Sequence, residues 1–156
     1  TGLASVAFPA TLKTIGDYAF FECTALTAIT FAEDSVLEII RDDAFYKTGL
    51  ASVAFPATLK TIGEDAFHQC AALTAITFAE DSALETIEEV AFEETGLTSV
   101  AFPATLKTIG YSAFFECAAL TNVTFNSSTS TCYPADVDVG TDAFADTQVV
   151  PLPQPC

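Results

Sequence analysis

The stretch VAFPATLKTIG occurs three times without change, at residues 6–16, 53–63 and 100–110. Thr-Gly-Leu triplets at residues 1–3, 48–50 and 95–97 keep the same spacing, so the chain repeats with a period of 47 residues. Near-identical segments at a fixed period indicate stacked structural units, each of which packs mainly against its neighbours.

Each period divides into two similar halves, residues 1–23 and 24–47. Both follow the template L-x-x-[VI]-x-F, a turn, L-x-x-I, and then A-F. The V-x-F segment alternates apolar and polar positions and predicts a short strand, which Pro9 ends in the first half. We assign the extra residue of the longer half to the turn at 32–35, which replaces 9–11. The pattern predicts a solenoid of six turns of 23–24 residues with short parallel strands, mostly β and turns.

The template resembles the repeat unit of BspA-type leucine-rich repeat proteins, roughly L-x-x-I-x-[FIL]-P-x-x-L-x-x-I-G-x-x-A-F-x-x-C. Residues 3–23, 50–70 and 97–117 match this unit, and the resemblance extends to about residue 125. The intervening units lack the proline, and we align Lys47 and Glu94 with the cysteine. The resemblance implies a secreted or cell-surface adhesion or protein-binding protein of the α/β-type leucine-rich repeat class.

The two ends of the chain differ from the repeats. We place the leucine-rich repeat solenoid at 1–125 and a degenerate last repeat with a C-terminal cap at 126–156. The template resumes at 139–144, and 147–153 is expected to form a stunted seventh strand whose prolines block further pairing. The N-terminal end has no such cap. We expect an upstream segment or a neighbouring molecule there, and interpret the chain as a mature product or excised piece.

Composition excludes several classes of function. The formal net charge is −16, from 5 Lys and Arg against 21 Asp and Glu, which argues against nucleic acid and anionic membrane surfaces as partners. No run of 18 apolar residues occurs, so membrane insertion is not expected. His68, the single histidine, occupies a position held by Phe21 and Phe115 and is interpreted as a packing residue. No acid, base or nucleophile recurs as a group, so we expect neither enzyme activity nor a cofactor.

Acidic residues recur in the turns of the second halves. They are interpreted as a solvated edge that keeps an apolar rod soluble, with calcium bridging as the alternative. The weak calcium candidates are Glu33, Asp34, Glu80 and Asp81.

Three cysteines recur with the repeat and two lie outside it. Cys23, Cys70 and Cys117 are two rungs apart, about 9.6 Å on strand spacing, so we expect them to fill a corner without pairing. Cys132 and Cys156 flank the irregular end, and a disulfide between them is expected to staple the cap. The alternative joins one of them to Cys117 and leaves an odd thiol.

Two N-x-[ST] sequons, at Asn122 and Asn126, are candidate glycosylation sites of a secreted glycoprotein. Asn126 is the better acceptor because it opens a polar loop.

The outward positions of the predicted strands are small and nearly invariant from rung to rung. This face fits lateral packing against another flat surface, so we expect a structural or adhesive module that binds further copies of itself, extracellular matrix or cell-surface proteins. The alternatives are a soluble module that recognises one protein or glycan, and ice binding by a regular Ser/Thr/Ala array. The interaction face comprises Ser5, Ala7, Ala28, Thr30, Ser52, Ala54, Ala75, Thr77, Ser99 and Ala101.

Overall fold

The chain folds as a parallel β-solenoid, described by a computed structural model over residues 2–125, 132–149 and 154–155. No helix occurs in that part of the chain. The described residues therefore contain no helix that is long and apolar enough to cross a membrane. The strands are β1 (Ser5–Phe8), β2 (Thr14–Ile15), β3 (Ala28–Phe31), β4 (Ile39–Ile40), β5 (Ser52–Phe55), β6 (Thr61–Ile62), β7 (Ala75–Phe78), β8 (Thr86–Ile87), β9 (Ser99–Phe102), β10 (Thr108–Ile109), β11 (Asn122–Phe125), β12 (Cys132–Tyr133), β13 (Asp138–Val139) and β14 (Gln154–Pro155).

The six four-residue strands are the V-x-F segments, and their alternating pattern predicted them correctly. They pair only two by two, as β1–β3, β5–β7 and β9–β11, all parallel. Within each pair the register is direct, so that Phe8 lies beside Phe31. The predicted strand face therefore consists of three two-stranded plates.

A second column of strands, which the sequence reasoning did not predict, forms the continuous sheet of the molecule. Two-residue strands at the L-x-x-I segment pair in the order β13-β10-β8-β6-β4-β2, with Ile15, Ile40 and Ile62 in one row. Because β13 joins this sheet, the template at 139–144 completes a turn of the solenoid, as expected.

Phenylalanines of the A-F segments form the centre of the core. Their rings stack face to face with centroids 5.1–5.3 Å apart along the whole solenoid. The stack runs Phe20, Phe45, Phe67, Phe92, Phe114 and Phe144. Contacts between stacked rings stabilise the core beyond the burial of each ring.

The N-terminal rung is less buried than the interior rungs. Leu3 is 43% exposed and Val6 is partly buried, whereas Leu50 and Val53 at the equivalent places are 0% and 2% exposed. The first described rung therefore exposes apolar side chains that the interior rungs bury, and a covering segment or molecule there stays a prediction.

The C-terminal end departs from expectation. Residues 147–149 were expected to begin a stunted seventh strand, but they are irregular, and Gln148 N–H donates to the carbonyl of Leu120. The last described pair is β12 with β14, in which Tyr133 lies beside Pro155. The expected strand residues 150–153 lie outside the described part of the chain.

The turns beside the phenylalanine stack depend on left-handed backbone at non-glycine residues. Two such residues occur in every turn, one before and one two places after the A-F pair. In the first five turns their backbone amides donate to the next rung, as Tyr18 N–H does to the Asp42 carbonyl at 3.0 Å. The positive-φ residues are Tyr18, Glu22, Asp43, Lys47, Asp65, Gln69, Val90, Glu94, Ser112, Glu116, Asp142 and Asp146.

This left-handed pattern corrects the alignment of the second halves. Lys47 and Glu94 were placed opposite the cysteines, but their positive φ angles match Glu22 and Gln69. Thr48 therefore takes the cysteine position, one residue later. The reason is that six positions separate Phe31 from Leu37 but four separate Phe8 from Leu12, so the turn gains two residues and the next corner loses one.

Candidate functional site

The outward positions of the four-residue strands form a small, uncharged surface. All ten residues of the predicted interaction face are exposed, and Asn122 extends the row. In register, Ser5 lies beside Ala28 and Ala7 beside Thr30, and the same pairing recurs in β5–β7. Their exposure agrees with the strand alternation, while their part in binding stays a prediction.

A groove opens where two plates meet without pairing. It has a volume of about 560 Å³ and lies between β7 and β9, lined by Phe78, Glu80, Phe102 and Pro103 among others. Because the strands on its two sides do not hydrogen-bond to each other, the strand face carries a cleft at this junction.

The acidic turns bring no three ligand side chains together among the described residues. Glu33, Asp34, Glu80 and Asp81 are exposed. Among the described residues, the one group of three or more His, Cys, Asp or Glu side chains close enough to share an ion lies elsewhere, at His68, Glu93 and Glu94. Calcium bridging by the turns stays a prediction.

His68 lies in a polar cluster at the corner of the third and fourth rungs. Its Nδ1 is 2.5 Å from Asp65 Oδ1, and its Nε2 is 3.7 Å from Glu94 Oε1. Nε2 is buried and has no hydrogen-bond partner. The ring also packs edge-on against Tyr46 at 5.2 Å, so the interpretation as a packing residue is correct but incomplete.

Two further side chains complete the surroundings of this cluster. Gln69 Nε2 donates to Glu94 Oε1 at 3.1 Å, and Tyr46 Oη donates to Gln69 Oε1 at 3.2 Å. Burial raises the pKa of Glu93, and His68 opposes that rise. Neither Glu93 nor Glu94 was predicted to be part of a polar cluster or a binding site. The available signal was that His68 and Glu93 interrupt a column held by aromatic rings in other turns.

The cysteine corner is a structural element. Cys70 Sγ donates to the Phe45 carbonyl at 3.1 Å, and since a thiol has one hydrogen, the Thr48 hydroxyl at 3.2 Å donates to Sγ. Cys117 repeats the arrangement with Phe92 and Thr95. Burial raises the pKa of both thiols. Cys70 and Cys117 form no disulfide, as expected from their two-rung spacing.

The remaining predicted sites are only partly described. Cys132 lies in β12, but Cys156 is outside the described residues, so the expected disulfide stays a prediction. Asn122 is exposed at the start of β11. Asn126, the preferred sequon, also lies outside the described residues.

Comparison with known proteins identifies the type of repeat. The BspA type leucine rich repeat region matches in six copies over residues 1–121 and 38–149. A search of curated proteins found no significant match.

Solved structures resemble the whole solenoid. The leucine rich repeat protein TpLRR of T. pallidum is 28% identical with a TM-score of 0.79, and the match covers 95% of this chain and 65% of that one. The pneumococcal vaccine antigen PcpA is 24% identical with a TM-score of 0.78, over 97% of this chain and 51% of that one. A leucine rich cell surface protein of Faecalibacterium prausnitzii is 28% identical with a TM-score of 0.60, over 81% of this chain and 40% of that one. The chain thus spans between 40% and 65% of these relatives.

Proposed function

The chain belongs to the BspA-type leucine-rich repeat family, and on that premise we propose that it is a non-catalytic protein-binding module of the cell surface or extracellular space. Its contact surface is the strand face, and its partner is a further copy of itself or another flat matrix or cell-surface protein.

The distribution of charge is the observation that supports this proposal. The chain has a net charge of −16, yet the exposed strand face from Ser5 to Ala101 consists only of serine, alanine and threonine. The carboxylates lie on other segments, for example in the turn at Glu33 and Asp34. An uncharged plane on a strongly acidic molecule allows a second surface to approach without like-charge repulsion.

The cell-surface setting is inferred from relatives. The F. prausnitzii relative, which is 28% identical, is described as a cell surface protein. A non-catalytic role rests on the family and on the absence of a nucleophile, acid and base grouped on the strand face.

Ice binding is the weaker alternative. Each strand has two outward positions, and threonine occupies the second one in β3 and β7 but alanine occupies it in β1 and β5. The face is also divided into three plates, so hydroxyl groups do not form one unbroken array.

Sedimentation velocity over a range of concentrations, with electron microscopy of the same samples, tests the proposal. We expect the wild-type chain to associate and the double variant Thr30→Arg/Thr77→Arg to remain monomeric, because two guanidinium groups would hold the flat surfaces apart. The matched control, Thr11→Arg/Thr141→Arg, adds the same charge at exposed residues outside the strands and should associate normally.

Two results would contradict the homotypic form of the proposal. Equal association of both double variants would place the contact surface elsewhere on the molecule. A wild-type chain that stays monomeric but captures one protein or glycan, with binding lost in Thr30→Arg/Thr77→Arg, would establish the soluble binding module instead.

A further inference from the structure

We infer that His68, Glu93 and Glu94 form a binding site for a divalent transition-metal ion, with zinc as the ion that their chemistry fits best. The three residues belong to adjacent turns, His68 after Phe67 and the two glutamates after Phe92. This inference is independent of the strand face, which lies on other segments of each turn.

The donor atoms are close enough to converge on one ion. One nitrogen of His68 and one carboxylate oxygen of each glutamate all lie within 4.8 Å of one another. The separation of His68 Nε2 from Glu94 Oε1 is 3.7 Å. Ligands at zinc bond lengths of about 2.0–2.2 Å in a tetrahedron stand about 3.4 Å apart, so small side-chain rotations suffice.

The orphaned nitrogen of His68 is the second observation. Nε2 is buried without a hydrogen-bond partner and lies beside a carboxylate oxygen, too far away for a hydrogen bond. Asp65 accepts the Nδ1 hydrogen, which leaves a lone pair on Nε2 in the neutral ring. A lone pair facing a carboxylate is unfavourable unless a cation lies between them.

Both sides of the site have the outer hydrogen bonds that metal ligands require. Asp65 accepts a hydrogen bond from His68 and fixes the orientation of the ring, as carboxylates do for histidines that bind a metal. Gln69 holds Glu94 through its amide, and Tyr46 holds Gln69 in turn. Ligands positioned in this way lose less freedom when an ion binds.

The donor set selects among ions. Imidazole nitrogen with carboxylate oxygen suits zinc and neighbouring transition metals, whereas calcium takes oxygen ligands and gains nothing from a histidine. Three protein ligands leave a fourth position of a tetrahedral ion for water or another molecule.

Calorimetric titration of the chelator-treated full chain with zinc chloride tests this inference. We expect one saturable site and at least a 100-fold loss of affinity in His68→Phe, which restores the residue found at Phe21 and Phe115 and should preserve the fold. Asp65→Asn should weaken zinc by about 10- to 100-fold through the outer hydrogen bond. Glu116→Gln, in the same column as Glu94 but in the next turn, is the matched control and should leave binding unchanged.

Nitrogen NMR of the wild-type chain gives an answer that needs no variant, because His68 is the single histidine. Zinc should move the Nε2 resonance to a metal-bound position and leave Nδ1 protonated. The inference is overturned by the absence of saturable zinc binding, or by zinc binding that His68→Phe does not change. It is equally overturned if Nε2 retains a hydrogen in excess zinc, which would identify a plain ion pair with Glu94, or if calcium chloride binds there as tightly as zinc.

Discussion

At the scale of single residues, the turns beside the phenylalanine stack tolerate little variation in backbone. The position before each A-F pair requires a left-handed conformation, and aspartate or serine takes it in several turns, as at Asp43 and Ser112. Aspartate and asparagine accept this region more readily than other side chains. Val90 holds the same position with φ of 61°, although a β-branched residue is strained there.

Replacing Val90 with asparagine should therefore stabilise the protein. We expect Val90→Asn to raise the free energy of unfolding by about 1 kcal/mol, the lower end of the cost of a left-handed residue. Partial loss of apolar burial at Val90 limits the gain. Urea denaturation followed by circular dichroism would measure it. Val36→Asn is the control, since Val36 is 40% exposed with no positive φ, and an equal gain there would contradict the strain at Val90.

At the scale of elements, each two-residue strand is followed at once by a turn, and in the interior rungs this turn packs closely against the preceding rung. A Cβ built on Gly110 would lie 2.5 Å from the backbone carbon of Glu88 and from the nitrogen of Glu89. At Gly16, the same template position in the first rung, nothing lies within 4 Å. The requirement for glycine thus comes from stacking and not from the turn itself.

These two glycines form a matched pair for a test of stacking. Gly110→Ala should destabilise the chain by about 1–3 kcal/mol, because backbone must move to admit the methyl group. Gly16→Ala should be neutral or stabilise slightly, since alanine restricts the unfolded chain and meets no neighbour. Thermal unfolding of both variants would measure the difference. Equal effects would mean that the first rung is covered in solution, or that the close approach at Gly110 is relaxed.

Some elements of this fold could be predicted from the sequence and others could not. The V-x-F strands and the stacked phenylalanines were predictable because their spacing recurs in every turn. The continuous sheet was missed, although Thr14-Ile15 and Ile39-Ile40 are β-branched pairs that favour strands. Segments of two residues are too short to be recognised as strands along the chain, and they form a sheet only because they pair across turns.

The polar cluster around His68 could not be predicted from the repeat pattern, for a different reason. Its ligand candidates come from two consecutive turns. The corners at Thr48 and Thr95 are one residue shorter than those at the cysteines, and this difference determines which side chains meet. A template aligns residues along the chain, whereas the contact between His68 and Glu94 depends on how unequal turns stack. The buried state of Nε2 depends in addition on rotamers, which no template specifies.

At the scale of the whole molecule, the apolar interior and the acidic exterior act against each other. The stacked rings and leucines of the interior rungs are almost completely buried, while the chain carries 21 acidic residues against 5 basic ones. Self-repulsion of such a surface opposes the compact state. Glu64 is one example, since desolvation raises its pKa and the neighbouring carboxylates Asp65, Glu89, Asp42 and Glu88 raise it further.

This balance predicts that the protein is more stable at about pH 5 than at pH 7. Desolvation is the first cause that raises the pKa of Asp43 and of Glu64 above their ordinary values of 3.8 and 4.5. A raised folded-state pKa means that the folded chain binds a proton at a pH where the unfolded chain does not. The free energy of unfolding therefore rises as the pH falls from neutrality through the folded-state pKa, and the gain is complete below the ordinary values.

Chemical denaturation at both pH values, in the presence of a chelator, would measure this change in the free energy of unfolding. Two glutamate variants would show which carboxylates cause it. Glu64→Gln should raise the free energy of unfolding at pH 7 by no more than about 0.5 kcal/mol, as is usual for a surface site. It should also make the free energy of unfolding depend less on pH. Glu38→Gln is the control, because Glu38 pairs with Lys60 at 3.4 Å and its loss removes an attraction. Stability that falls between pH 7 and pH 5 would mean that favourable ion pairs outweigh the crowding of carboxylates. In that case the acidic surface would stabilise the solenoid at neutral pH, and Glu64→Gln would lower stability as Glu38→Gln does.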